Sequence, residues 1–306
     1  MNILITRSDH GPDYQSDCLF HGLRKYTDNN VVDYPRQWYM YQSEFESGEK
    51  LKTELYGRGF TYSGTLDNDS HIDRTNIESK IINQFFDLII FSRADQLGPM
   101  EQIIFSCTPK EKIIVVDGED SNIIRSDLVE LCQSYFKREL AAEPTGNIRP
   151  IGFGFYKEKI SPKNQKEVLM SAVQPGWNQG FGNYTHSTEQ DYYADYNRSY
   201  FGITHKKFGW DCLRHYEIMG ARCVPWFTDL QDCPAYTCTF LPKLLFTEIN
   251  NLILNNNMNW FQTEEGSKTY QNYEEKIHQH FLEHCTTEAL ANYVLRVYNN
   301  NISNAF

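Results

Sequence analysis

The sequence predicts an α/β protein with two Rossmann-like lobes facing a cleft, closed by C-terminal helices. Three observations carry this. Short β-branched apolar runs alternate with helix-period stretches through the first half, a charged segment interrupts the pattern near residue 160, and the alternation then resumes. Continuous apolar runs of four or five residues are how parallel strands buried on both faces read. Helices crossing between such strands give a doubly wound lobe. At 306 residues the chain can build two such cores without disulfides or metals.

In the first lobe, residues 3–6, 31–34, 87–91 (DLIIF) and 113–116 (IIVV) read as strands. Residues 16–25, 75–86, 98–107 and 127–134 read as helices. Residues 36–71 break the rhythm, being polar and aromatic with Gly57, Gly59 and Gly64. A connection of that length in a compact domain is usually functional. It reads equally as an acceptor-side loop or an inert surface excursion. The segment YKEKISPKNQ, residues 156–165, reads as the linker. Beyond it, 167–173 (EVLMSAV), 200–203 and 223–227 read as strands, with helices at 188–198 and 211–221. Residues 242–254, 273–283 and 286–297 read as closing helices. The expected division is a first Rossmann-like lobe over 1–156, a second over 157–265 and helices over 266–306 that pack across both.

Composition narrows the function. Lys+Arg number 29 against 40 Asp+Glu, a net charge of −11, which argues against a nucleic-acid partner, because such affinity rests on dense Lys and Arg. No run approaches the roughly 20 apolar residues of a membrane helix. The opening Met1-Asn-Ile-Leu-Ile-Thr-Arg7 is too short in apolar residues for a secretory signal. Eight scattered cysteines then suggest reduced thiols in a cytoplasmic compartment. Cys233-x4-Cys238 and His280-x3-His284 lack the paired spacing of a zinc site, so no metal is expected. No GxGxxG turn or GxxxxGK[ST] loop is present, and Gly152-Phe-Gly154 is only a GxG. Dinucleotide dehydrogenases and P-loop phosphotransferases are therefore poorly supported. The aromatic runs Tyr192-Tyr-Ala-Asp-Tyr196 and Trp38-Tyr-Met-Tyr41 are suited to stacking on sugar rings, although packing explains such residues more often.

The charge is uneven. Residues 198–222 hold Arg198, Lys206, Lys207, Arg214 and Arg222 against only Asp211 and Glu217, a local excess of three positive charges. This stretch reads as strand, basic loop, helix, strand. In an open α/β sheet, ligands sit at the carboxyl ends of strands, where helix N-termini point N–H groups into the crevice. Lys206 and Lys207 lie in that loop beside Trp210, and Asp211 is placed to cap the next helix. Asp211, Arg214 and Glu217 recur every three residues, hence broadly on one face. Lysines, an arginine and a helix end suit a diphosphate, and a carboxylate two turns in suits a ribose diol. The bland alternative is a solvated helix with i,i+3 ion pairs.

The run Gly209-Trp-Asp-Cys-Leu-Arg-His-Tyr-Glu-Ile-Met219, then Cys223-Val-Pro-Trp-Phe227 and Asp232-Cys-Pro234, resembles the donor-site signature of GT-B glycosyltransferases. The nearest branches are the exostosin-like and spore-coat types and their relatives in large DNA viruses of algae. His10-Gly-Pro-Asp-Tyr-Gln-Ser-Asp17, His21-Gly-Leu-Arg24, Val31-Val-Asp-Tyr-Pro35, Asp117-Gly-Glu-Asp-Ser121 and Tyr135-Phe-Lys-Arg138 are similar to the first lobe of the same proteins. The resemblance implies sugar transfer from a nucleotide-sugar, a UDP-sugar ahead of a GDP-sugar, to a hydroxyl of an oligosaccharide or glycoprotein, with no tightly bound cofactor. It implies that the first lobe binds the acceptor and the second the nucleotide-sugar, with Arg214 on the diphosphate or base and Glu217 on the ribose. A pentose such as xylose is one candidate sugar. Two residues depart from the pattern. Arg222 stands where the family has glycine, and Gly209 stands where retaining members place a first glutamate, which tilts the expectation towards inversion. An inverting enzyme needs a general base on the acceptor side, expected just past the first strand, where Asp13 and His10 are the candidates. Asp117, Glu119 and Asp120 follow a buried strand and are further cleft candidates. A non-catalytic nucleotide- or glycan-binding module and a nucleotide-sugar epimerase of related fold are the competing readings.

Overall fold

The computed structural model describes residues 1–7, 11–93, 98–176 and 186–299. The first lobe is built on β1 (Asn2–Thr6), β2 (Asn30–Tyr34), β3 (Leu88–Ser92), β4 (Ile113–Asp117), β5 (Ser134–Lys137) and β6 (Ile148–Pro150). All neighbours are parallel, in the order β2-β1-β3-β4-β5-β6. Register sets Ile90 between Ile5 and Ile114, and all three are fully buried. That is the two-sided burial the apolar runs imply. The helices of this half are α1 (Tyr14–Tyr26), α2 (Ser43–Glu46), α3 (Ile77–Ile82), α4 (Pro99–Cys107) and α5 (Ser126–Val129). Because β2 and β3 flank β1 on opposite sides, the order in which strands are added reverses at β1. Open α/β sheets bind ligands at such a point.

The second lobe has three parallel strands, β7 (Val168–Met170), β8 (Ser199–Thr204) and β9 (Val224–Phe227), in sequence order. Connecting them are α6 (Glu189–Arg198) and α7 (Leu213–Gly220), followed by α8 (Lys243–Asn256), α9 (Glu264–His284) and α10 (Thr287–Tyr298). The last two helices tie the lobes together. On α9, Tyr270 donates to the Tyr200 carbonyl of β8 at 2.7 Å. On α10, Tyr293 donates to the Pro150 carbonyl of β6 at 2.8 Å. Packing of α10 on α1 needs Gly22, where a Cβ would stand 1.9 Å from the Thr287 carbonyl oxygen.

Several sequence expectations change. The helix expected over 127–134 is the single turn α5, and the chain then enters β5. The Ser-Tyr-Phe-Lys composition of β5 hides a strand because its polar ends are buried: Lys137 is fully enclosed and pairs with Asp117 of β4 at 2.7 Å. The three-residue β6 gives no periodic signal at all. The helix α9 begins at Glu264, earlier than expected, where the Thr263 side chain accepts from the Gly266 amide. The 36–71 stretch is not an inert excursion. Tyr39, Tyr41 and Tyr62 are fully buried in it, and Arg74 ties it to β2 by donating to Asp33 at 2.5 Å. Its far end crosses to the second lobe, where the Thr61 amide donates to Glu189 at 2.6 Å.

Candidate functional site

A cavity of about 550 Å³ opens where the carboxyl ends of β1, β4 and β5 meet the loop from β8 to α7. This lies within the roughly 300–1,000 Å³ of small-molecule sites. Its second-lobe wall is the start of α7, with Lys207, Asp211, Arg214 and Glu217. Its first-lobe wall holds Asp13, Asp120 and Arg138.

On α7 the i,i+3 spacing turns Arg214 and Glu217 inward, leaving them 6% and 9% exposed. Glu217 accepts from Tyr192 at 2.7 Å and from Thr61 at 2.5 Å. Burial pushes its carboxyl up, while these two hydroxyls and Arg214 oppose the shift. Two bonds leave a carboxylate with further acceptor capacity. Asp211 is completely buried. Tyr216 donates to its Oδ2 at 3.2 Å, whereas its Oδ1 has no hydrogen-bond partner among the described residues. Burial pushes this carboxyl up to about 7, against the pull of His215 and Arg138. Asp211 does not cap the helix as the sequence suggested. The N-cap is Cys212, without a side-chain bond. The loop is held instead by Glu139, which accepts from the Trp210 and Asp211 amides at 2.9 and 3.0 Å. It is also held by His215, stacked 4.5 Å from Phe227 and bonded to the Trp210 carbonyl at 2.8 Å. Burial lowers His215 to about 4, so the ring is neutral at physiological pH.

The first-lobe wall is more heavily bonded. Asp13 caps α1 by accepting from the Ser16 amide at 2.8 Å, and its second oxygen lies 3.8 Å from Arg93. Arg138 follows β5 and is 4% exposed. It donates to the Gly118 carbonyl at 2.7 Å, Asp120 at 2.5 Å, Glu139 at 2.9 Å and, across the cleft, the Asp211 carbonyl. Asp117 lies beneath this wall rather than in it, receiving Lys137, Tyr135 and the Glu119 amide.

The structure thus brings Asp13, Asp120, Lys207, Asp211, Arg214 and Glu217 to one cavity. Asp117 and Glu119 are not among the lining residues, nor are Lys206 and Trp210. The Lys206 ammonium sits 5.2 Å over the Trp210 ring instead, and the pair is spent on itself. His10 lies outside the described residues. Arg138, Tyr14, Gln15 and Arg58 line the cavity without having been singled out. Arg138 sits in a motif that carried the resemblance, but no spacing marks its role. The aromatic runs divide: Tyr192 lines the cavity and bonds Glu217, while most of the others pack. Tyr39, Tyr41, Tyr193 and Tyr196 are buried in packing, whereas Tyr56 and Phe208, 74% and 75% exposed, stand at the cavity wall from opposite lobes.

The two departures from the family pattern have physical reasons. Arg222 has φ 59°, the left-handed conformation that glycine adopts without cost. It is held there by Glu274 at 3.1 Å and Glu275 at 3.0 Å. At Gly209, a Cβ would stand 2.6 Å from Glu139 Oε1 and 2.7 Å from Asp120 Oδ1, so a side chain there would have to displace both carboxylates. The sequence also contains Asp67-Asn-Asp69, whose Asp69 is committed to Arg36 at 2.6 Å and Arg74 at 2.8 Å. Among the described residues no cluster of three His, Cys, Asp or Glu is placed to hold a metal. No described helix is long and apolar enough to cross a membrane.

No family model and no curated protein matches the sequence. Among solved structures, the chain is similar to an alpha-glucosyltransferase in complex with UDP and a 13-mer DNA containing a central A:G mismatch. That match has TM-score 0.52 and 9% identity over 98% of this chain and 100% of the other. Anabaena Alr3699/HepE in complex with UDP has TM-score 0.49 and 12% identity over 98% and 100%. Acinetobacter baumannii MurG has TM-score 0.40 and 10% identity over 98% and 100%. The first likeness is one of fold. The chain has the GT-B architecture of two parallel-sheet lobes about a cleft, with C-terminal helices packing back on α1.

Proposed function

We propose that this protein is a glycosyltransferase that moves a sugar from a nucleotide-sugar to an acceptor hydroxyl, with inversion and without a bound metal. The observation that carries the reading is the placement of Arg214 and Glu217 one turn apart on the buried face of α7, in a cavity whose opposite wall presents Asp13. Glu217 takes the ribose diol. Arg214, Lys207 and the first turn of α7 face the diphosphate. The Trp210 and Asp211 amides are already engaged by Glu139, so side-chain cations carry most of the leaving-group charge. UDP is the favoured nucleotide, since the fold neighbour with TM-score 0.52 was solved with UDP.

Asp13 is the general base, at the carboxyl end of β1 where the sheet order reverses. It takes the acceptor proton as the acceptor oxygen bonds to the sugar's anomeric carbon. The bond from that carbon to the phosphate oxygen breaks, and the nucleoside diphosphate leaves with the electron pair. His10 is the alternative base. Tyr56 and Phe208 flank the opening and suit stacking against a glycan acceptor. The competing epimerase and binding-module readings have distinct outcomes. Incubation with UDP-sugars and oligosaccharide acceptors, followed by NMR of the product, is expected to show a new glycosidic bond of inverted anomeric configuration. Donor epimerised without acceptor, or donor bound but never hydrolysed or transferred, would refute the transferase reading.

A further inference from the structure

We infer that Thr61, a first-lobe residue off the cavity lining, is a positioning residue for the ribose site: its hydroxyl holds the Glu217 carboxylate in the setting that takes the diol. The inference rests on the glycosyltransferase reading. It makes the nucleotide site of the second lobe depend on the 36–71 stretch of the first.

The bonds around Glu217 show how the setting is made. Thr61 is fully buried and is not among the cavity-lining residues, whereas Phe60, Tyr192 and Glu217 are. Thr61 therefore supports the carboxylate without occupying the ligand's place. Its hydroxyl donates to Glu217 Oε1 at 2.5 Å, and Tyr192 of α6 donates to Oε2 at 2.7 Å. One hydroxyl on each oxygen fixes the carboxylate plane and leaves each oxygen able to accept again. A hydroxyl has a single hydrogen to give, so the Tyr193 hydroxyl, 2.6 Å away, donates to Thr61 in turn. The Thr61 amide is held separately by Glu189, which also receives Lys159 at 2.6 Å.

The backbone points the same way. Thr61 has φ 73°, a left-handed conformation that is a genuine outlier for a β-branched residue. Such strain persists only where the surroundings over-determine it, and it clusters at ligand clamps. Glycine would adopt the conformation without cost, but it has no hydroxyl to give to Glu217. The same segment sets Tyr56, Gly57 and Arg58 on the cavity wall. Thr61 thus ties that wall to the ribose carboxylate of the other lobe. Recognition of a diol needs both carboxylate oxygens presented together, and supporting bonds of this kind supply the tolerance required.

The experiment is calorimetric binding of UDP and 2′-deoxy-UDP to the wild type, Thr61→Val, Thr61→Gly, Thr61→Ser and Glu217→Ala, with thermal unfolding of each. The deoxy nucleotide lacks one hydroxyl of the diol, so the ratio of the two affinities reports the ribose contact alone. A site built to bond a hydroxyl rejects the analogue without it, and the wild type should prefer UDP at least about tenfold. Thr61→Val keeps the branched shape, and Thr61→Gly relieves the backbone strain and so protects folding. Both should hold 2′-deoxy-UDP within about threefold of the wild type while the preference for UDP falls at least about fivefold, the weight of one ordinary hydrogen bond. Thr61→Ser returns the hydroxyl and should return the preference. An unchanged preference in folded Thr61→Val or Thr61→Gly, with Glu217→Ala having lost it, overturns the inference and leaves the ribose role of Glu217 standing. Equal weakening of both nucleotides in the hydroxyl-less variants also overturns it, because general damage to the fold does that. A wild type that binds the two nucleotides equally, or binds neither, removes the ribose reading and the inference with it.

Discussion

The two walls of the cleft spend their charged residues differently. On the first-lobe wall, Asp120 and Arg138 are bound to one another and to backbone and Asp13 to a helix end, with Asp117 bound to Lys137 beneath them. On the second-lobe wall, α7 presents Arg214 and Glu217 to the cavity, and Asp211 at its entrance keeps an oxygen unused. A fully satisfied charge holds the fold, while one with spare capacity in a cavity is placed for a ligand. Thr61 bridges the two, a first-lobe residue bonded to Glu217.

Substitutions can break or sharpen that contrast. The largest effect on folding is expected beneath the first wall. Asp117→Asn leaves Lys137 charged and fully buried, which should cost about 3–5 kcal/mol in urea unfolding. The opposite sign is expected at Asp211. Burial pushes its folded carboxyl up to about 7 from the ordinary aspartate value near 3.8, so between those values the unfolded chain releases a proton that the folded chain retains. Wild-type stability should then fall as pH rises from about 4 to 7. Asp211→Asn should match the wild type below pH 4 and exceed it by about 2–4 kcal/mol above pH 7. A variant no more stable at pH 8 than at pH 4, relative to the wild type, would mean the carboxylate is compensated after all. Asp13 separates cap from base. Asp13→Ala should lose about 1 kcal/mol and Asp13→Asn only a few tenths, yet both should slow transfer by about 10²-fold or more. Transfer at wild-type rate by Asp13→Asn would pass the base role to His10. The smallest effect is expected at Lys206, whose cation–π pair with Trp210 is worth about 0.5–1 kcal/mol. Lys206→Ala should leave nucleotide affinity within about twofold.

The alternation of apolar runs made both lobes legible, since runs such as residues 113–116 (IIVV) are buried on both faces. What escaped was β5, whose lysine is compatible with burial only because Asp117 waits on the adjacent strand. No local pattern encodes that. In the site, the three-residue spacing placed Arg214 and Glu217 on one face of α7, because helix geometry is a local property, whereas Asp211 lies in the loop before the helix. Local spacing did not foretell that Lys206 and Trp210 turn onto each other, off the cavity lining. It could not reach Arg138 or Thr61, whose roles depend on contacts between lobes.

The central claim is that the α7 wall binds a nucleoside diphosphate. Calorimetric titration of UDP into the wild type and an Arg214→Ala/Glu217→Ala variant tests it most directly. The account predicts saturable binding to the wild type and at least about 100-fold weaker binding to the variant, near 2.7 kcal/mol, with thermal unfolding confirming that both are folded. Equal UDP affinity in the two proteins, or no binding to either, would contradict it.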